Sequence, residues 1–411
     1  MSWLKASSLY YIKLKKKNNS TRILSIDIMR GLTLFLMLFV NDLYTPGVPK
    51  WLVHTSISED GMGLADWVFP GFLFMVGLSI PFAFMAREKR AESNIQLLSH
   101  ILIRTFSLLL IGFFMVNIEN YNADLTGINK YLWAILVYLS IFLIWNKYSR
   151  DSKFSLTFKA LKFIGILGLL LMAFFYRSGT PDNVGWMSTS WWGILGLIGW
   201  GYLVSAFTHF FVKDRIAGLL AVWMVFVLFN VLAQTPYLDF LNPIKPIFGV
   251  ILNGNVPSIV LSGLLIGTLL KKYKTDYKQF LIFIVPIGFA CLAVAFVLRN
   301  WFIISKLLGT PSWAMLCNGL SILLFALLFY LLDVKKRQKW AAPFLPAGQN
   351  SLTTYLAPDI LYYLIWGLNL NVLFYKQAEM SWLAISGSIV WAFAMIGLAT
   401  LLSKIYVRLK L

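Results

Sequence analysis

Leu24-Ser-Ile-Asp27-Ile-Met-Arg30-Gly-Leu-Thr-Leu-Phe-Leu-Met-Leu-Phe-Val-Asn41-Asp-Leu43 is a mainly apolar run with a few polar side chains set into it. A helix of about 20 such residues crosses a hydrocarbon layer of roughly 30 Å. At about 100° per residue, Asp27, Arg30 and Asn41 fall within about 60° on one face, with Leu34 and Leu38 between them. An ionised side chain at the centre of a bilayer costs roughly 2.5–3.5 kcal/mol, so this face is expected to turn toward protein. No small-residue cleavage site follows the run, which reads as a retained membrane helix and not a signal peptide.

The same pattern recurs along the chain. Spanning segments are expected at Leu24–Leu43, Leu64–Met85, His100–Val116, Ile128–Trp145, Lys159–Tyr176 and Ser190–Phe211. Six more are expected at Ile216–Ala233, Val256–Leu270, Gln279–Leu298, Trp313–Leu332, Ser351–Leu368 and Trp382–Tyr406. With 59% hydrophobic and 13% charged residues, the fold class is an all-α polytopic bundle of about 12 transmembrane helices. A single membrane domain, 23–411, follows a basic segment, 1–22.

The net charge of +19 is spread in short clusters between apolar runs, which is a topology signal and argues against a nucleic-acid interface. With the N-terminus inside, 29 of the 36 Lys and Arg residues fall on the cytoplasmic side. The outer set is Lys50, Lys130, Arg177, Lys245, Arg299, Lys306 and Lys376. Both termini are therefore expected to be cytoplasmic.

Among candidate functional residues, His54 is the one histidine expected in an outer connection, Tyr44–Gly63. Its bland reading is a solvated loop residue, and its chemical reading is a general base or nucleophile. Asp66, at the start of the second helix, suits either a favourable helix N-terminus or an imidazole partner. Asp27 and Arg30 suit either an intrahelical ion pair or an anion site reached from the cytoplasm. Asn350, Ser351, Thr354, Tyr355 and Asp359 form a polar surface on the eleventh segment, where a buried aspartate calls for a partner. His100 and His209 are expected near the membrane boundary. Trp186, Trp191, Trp192, Trp301, Trp313 and Trp382 read as outer interface anchors. Cys291 and Cys317 read as packing residues, and no His/Cys spacing suggests a metal.

These segments together resemble the transmembrane acyltransferases typified by heparan-α-glucosaminide N-acetyltransferase. The resemblance rests on Arg22-Ile-Leu-Ser-Ile-Asp27-Ile-Met-Arg30-Gly31, on Phe39-Val40-Asn41, and on His54 followed by Gly63-Leu-Ala-Asp66-Trp-Val-Phe-Pro70. A weaker echo is Pro346-Ala-Gly-Gln-Asn350-Ser351 leading to Tyr355. The resemblance implies a bacterial inner-membrane enzyme that moves an acetyl group from cytoplasmic acetyl-CoA to the amine of glucosamine or a related amino sugar outside. It also implies His54 and Asn41 as the catalytic pair. Polyanionic CoA is then expected near Asp27, Arg30 and Arg104, with Asp66 or Asp359 holding His54 or the sugar. Asn350, Ser351 and Tyr355 are supporting candidates, and family analogy suggests a homodimer.

Two other functions fit the same residues. A permease for N-acetylglucosamine, N-acetylmuramic acid or a related sugar would also use a polar bundle interior, but it needs a path across the whole membrane. An O-acyltransferase acting on a surface glycan would use His54 equally well.

Overall fold

The structure, a computed structural model, describes residues 23–149, 154–273 and 275–411. The expected basic segment 1–22 lies outside the described residues, as do Arg150, Lys153 and Lys274. The chain is an all-α polytopic membrane protein. Its principal helices are α1 (Leu24–Asp42), α2 (Leu64–Glu88), α3 (Asn94–Asn117), α4 (Lys130–Trp145), α5 (Ser155–Phe175) and α6 (Gly193–Val212). They continue as α7 (Ile216–Leu232), α8 (Asn255–Lys272), α9 (Tyr277–Leu298), α10 (Pro311–Phe329), α11 (Ser351–Gly367) and α12 (Ser381–Lys404). Among the described residues, nine segments are long and apolar enough to cross a membrane; α4 and α7 are apolar but shorter.

Local chemistry explains the boundaries. Helix α3 begins six residues before the expected His100, because Ser93 and Gln96 form a reciprocal cap, Gln96 N–H donating to Ser93 Oγ and Ser93 N–H to Gln96 Oε1. Asn129 caps α4, Asp276 caps α9, and Thr310 caps α10 with Pro311 at its first position. The first turn of α1 is capped from far along the chain: the N–H groups of Leu24 and Ser25 donate to the Asp333 carboxylate at 3.0 and 2.9 Å. A π-turn at Tyr330–Val334 delivers that carboxylate. The Pro-rich stretch between α7 and α8 coils into a 3₁₀ segment, Pro236–Ile244, and a short helix, Lys245–Leu252.

The connections fall into two sets that bond only among themselves in the contacts seen. At one end Lys147 and Asn146 pair with Arg408, and Lys271 with Asp214. At the other end Asp60 pairs with Arg299, Asn122 with Arg177, Thr189 with Pro246, Asn230 with Gly309 and Lys376 with Asp42. The first set carries most of the described Lys and Arg residues and is termed the basic end.

Burial separates inner helices from outer ones. The spanning windows of α1, α2, α6 and α10 are 61–67% buried, whereas those of α5 and α9 are only 17% and 22% buried and present apolar side chains to lipid. Helix α2 lies at the centre, with Leu73, Phe74, Met75 and Leu78 fully enclosed against Ile259, Val260 and Leu264 of α8. His209, in the last turn of α6, is packed edge-on against Phe84 and is only 4% exposed. Cys291 and Cys317 are buried and unpaired.

Candidate active site

At the end opposite the basic loops, two short 3₁₀ turns, Thr45–Gly47 and Lys50–Leu52, carry the chain from α1 to His54. The loop closes back on the start of α2. Gly63 is essential to that closure, since a Cβ there would lie 1.9 Å from the Val53 carbonyl oxygen. The closure brings His54 Nδ1 to 2.6 Å from Asp66 Oδ1. Asp66 is fully buried, while the His54 side chain is 47% exposed.

Asp66 is held from several sides. Its Oδ2 accepts the N–H groups of Thr55 and Gly63, each at 3.0 Å, and lies 3.1 Å from the Thr55 hydroxyl. Its carbonyl accepts the indole N–H of Trp313 at 3.3 Å. Trp313 is therefore a buried buttress at 3% exposure and not an interface anchor; Trp186, Trp301 and Trp382 are exposed as expected. With Oδ2 engaged by these donors, Asp66 holds the imidazole through Nδ1 and leaves Nε2 as the nitrogen without a carboxylate partner.

Sequence reasoning counted Lys306 only as an outer basic residue. The structure sets its Nζ 3.3 and 3.4 Å from the two ring nitrogens of His54 and 3.4 Å from the Ala65 carbonyl. Burial holds the Lys306 ammonium below the ordinary lysine range, with Asp66 pulling in the other direction. Its loop is clamped to the histidine loop through Asp60, which accepts the Ile304 N–H at 2.8 Å and pairs with Arg299 at 2.8 Å. The Ile304 N–H, together with Arg299, keeps the Asp60 carboxyl below the usual range. Only the apposition of two connections about 250 residues apart creates this Lys–His–Asp cluster, and no local signal announces it.

Asn41 sits exposed in the last turn of α1 and makes no side-chain hydrogen bond among the described residues. Its neighbour Asp42, passed over in the sequence, is fully buried. Asp42 accepts hydrogen bonds from Tyr362 Oη and, at 2.8 Å, Tyr375 Oη, and it pairs with Lys376 Nζ at 2.8 Å. A buried acid ending an apolar run was the available signal, but its partners lie more than 300 residues downstream.

Toward the basic end, a cavity of about 580 Å³ opens among α1, α2, α3, α6 and α11. Asp27, Arg30, Arg104 and Ser351 all line it, joined by Lys89 and Tyr202. Arg30 donates to Ser79 Oγ at 2.5 Å and to the Gly348 carbonyl at 3.4 Å. Gly348 packs directly on α1, where a Cβ would meet the Asp27 carbonyl oxygen at 2.0 Å, which accounts for the glycine in Pro346-Ala-Gly-Gln-Asn350. Arg104 stacks over Tyr202 at 4.6 Å and buries its Nε without a hydrogen-bond partner. Asn350, between the short helix Leu345–Gln349 and α11, likewise buries an unpartnered Oδ1.

Tyr355 and Asp359 are not at His54. They line a second cavity of about 670 Å³, in which Tyr138 Oη donates to Asp359 Oδ2.

Comparison with known proteins finds partial matches to this chain. Residues 22–185, less than half of the chain, match a family model described as "Domain of unknown function (DUF5009)". The chain is 38% identical over 106 residues to heparan-alpha-glucosaminide N-acetyltransferase of Mus musculus, covering 26% of this chain and 15% of that protein. It is 40% identical over 100 residues to the Homo sapiens protein of the same name, covering 24% and 14%. The chain thus spans about one-seventh of the length of these curated relatives. Over the segment that these matches cover, the chain is similar to proteins named heparan-alpha-glucosaminide N-acetyltransferase.

Proposed function

We propose that the chain is a transmembrane N-acetyltransferase. It takes an acetyl group from acetyl-CoA on the cytoplasmic side and delivers it to the amine of glucosamine or a related amino sugar on the outer side of a bacterial plasma membrane. The observation that carries the reading is the His54–Asp66 pair: a half-exposed imidazole held through Nδ1 by a fully buried, three-times-bonded carboxylate. The name of these relatives, an N-acetyltransferase, suggests the reaction class. The concentration of Lys and Arg at one end of the bundle supports a cytoplasmic assignment for that end.

The residues of the first cavity fit a polyanionic thioester. Arg30, Lys89 and Arg104 face it against the single carboxylate of Asp27, and Arg104 Nε is a buried donor awaiting an acceptor. Phe72, Val76 and Ile80 give the deeper wall an apolar lining suited to an aliphatic arm. On α2, Phe72 at that wall and Asp66 at the histidine are six residues apart, about 9 Å at 1.5 Å per residue. In the transfer, His54 Nε2 accepts a proton from the sugar ammonium. The amine nitrogen then bonds to the thioester carbonyl carbon as the carbon–sulfur bond breaks, and the departing thiolate takes the second amine proton and leaves as the CoA thiol. The same Asp66–His54 pair also serves a route in which Nε2 itself first receives the acetyl group.

One feature favours a second reading, the sugar permease. On α11, Ser351 lines the cavity at the basic end while Tyr355, one turn and about 6 Å further, lines the other, so the two cavities nearly meet. Purified protein incubated with acetyl-CoA and glucosamine, N-acetylglucosamine or no sugar separates the two. Glucosamine-dependent thiol release, abolished in His54→Ala, is the expected result. No thiol release, together with counterflow of N-acetylglucosamine in liposomes, would replace the enzyme with the permease.

A further inference from the structure

Asp359 lies in the middle of α11, where a carboxylate is expected to have a countercharge. It has none: among the described residues no Lys, Arg or His pairs with it, and its hydrogen-bond partner is the neutral phenol of Tyr138. Glu119 adds a second carboxylate to the same cavity and accepts the Trp191 indole N–H at 3.3 Å. Lys130, the one basic residue in the lining, points its Nζ at the Glu119 backbone carbonyl at 3.4 Å instead of at a carboxylate.

Much of the rest of the wall is aromatic. Tyr363 lies 5.9 Å from Tyr138, 5.8 Å from Trp366 and 6.5 Å from Tyr131, centroid to centroid, giving a connected cluster of tilted and edge-on rings that offers several π faces. Such faces attract cations and also stack on the apolar faces of sugar-like rings. A volume of about 670 Å³ lies within the size range of small-molecule sites. Neither the 44–66 segment nor the Lys306 loop contributes to the lining, so this chamber is separate from the His54–Asp66 pair.

We propose that this cavity is a second ligand site, specific for a protonated amine carried on a hydroxylated ring. The ammonium supplies the countercharge that Asp359 lacks, Glu119 adds to the negative field, and the ring body rests against Tyr363 and Trp366. The proposal stands whether or not the protein transfers acetyl groups.

The test uses the full chain in lipid nanodiscs, without acetyl-CoA, at a pH where the amine is protonated and at constant ionic strength. Binding of glucosamine and of N-acetylglucosamine, which has the same ring without the charge, is measured by calorimetry. The expected result is saturable glucosamine binding, at least tenfold weaker N-acetylglucosamine binding, and at least a tenfold loss of glucosamine affinity in Asp359→Asn. Asp214→Asn, at the basic end and in the lining of neither cavity, should remain within twofold of wild type. Equal affinity for the two sugars, no binding of either, or undiminished binding in Asp359→Asn would each overturn the proposal. If Asp359→Asn fails to fold, Glu119→Gln and the wild-type contrast between the two sugars carry the test.

Discussion

Replacing Asp66 with Asn tests the site at its most constrained atom. Oδ2 of Asp66 faces three donors, the N–H groups of Thr55 and Gly63 and the Thr55 hydroxyl, and Oδ1 faces His54 Nδ1 at 2.6 Å. An asparagine keeps its carbonyl oxygen toward the donors, because the opposite flip would set NH₂ against two backbone N–H groups. Its NH₂ then points at Nδ1 and donates where the carboxylate accepted. The imidazole must turn to the tautomer with Nε2 protonated, which can neither accept a proton nor attack. Losing a charge-assisted hydrogen bond worth about 1.5–3 kcal/mol and inverting the tautomer preference together cost about 2–4 kcal/mol in the transition state. At 1.36 kcal/mol per tenfold, that is a fall in kcat of roughly 30- to 1,000-fold. The assay is continuous detection of CoA thiol with saturating glucosamine. KM for acetyl-CoA should be unchanged, because Arg30 and Arg104 lie in a different cavity. Activity within twofold of wild type, or a raised KM with unchanged kcat, would refute the reasoning.

Lys306→Met should lower kcat roughly tenfold by removing the donor beside His54, yet raise the thermal midpoint at neutral pH by about 1–2 °C. Burial depresses the folded-state lysine pKa, so the cost of keeping Lys306 charged is fully present below that value and fades as pH rises toward the unfolded value. The stability gain of the variant should therefore shrink at alkaline pH, as read by scanning fluorimetry. Arg104→Gln should raise KM for acetyl-CoA about 5- to 30-fold with little change in kcat, since it removes a cavity cation whose structural contact is one stacking interaction, worth about 0.5–1 kcal/mol. Lys376→Met leaves the fully buried Asp42 carboxylate with two phenols and no cation, and it should destabilise the fold by about 3 kcal/mol in denaturant unfolding, to be compared with Asp42→Asn.

What the sequence disclosed follows the range of the forces involved. Hydropathy and helix periodicity act over neighbouring residues, so the apolar segments were legible, with the start of α3 misplaced where the Ser93 cap sets it six residues earlier. The pairing of His54 with Asp66 was legible because only twelve residues separate them and the second begins a helix. The grouping of Asp27, Arg30 and Arg104 was foreseen from chemistry and family resemblance, and one cavity now holds them. The contributions of Lys306 and Trp313 depend on contacts about 250 residues apart that nothing local marks, and the acid ending the first apolar run hinted at Asp42 but not at its partners more than 300 residues downstream. Asp359 was singled out as a buried acid, but its chamber, shared with Glu119 and Tyr138, emerges only when α3, α4, α6 and α11 come together.

The central claim is that an acetyl group passes from one face of the membrane to an amine on the other. Proteoliposomes with isotopically labelled acetyl-CoA confined to the side of the basic loops and glucosamine confined to the opposite side measure it directly. Labelled N-acetylglucosamine is expected in the sugar compartment, with an equal amount of free CoA thiol in the other and neither product with His54→Ala. Product formed only when both substrates share a compartment, or sugar arriving in the acetyl-CoA compartment without thiol release, would contradict it.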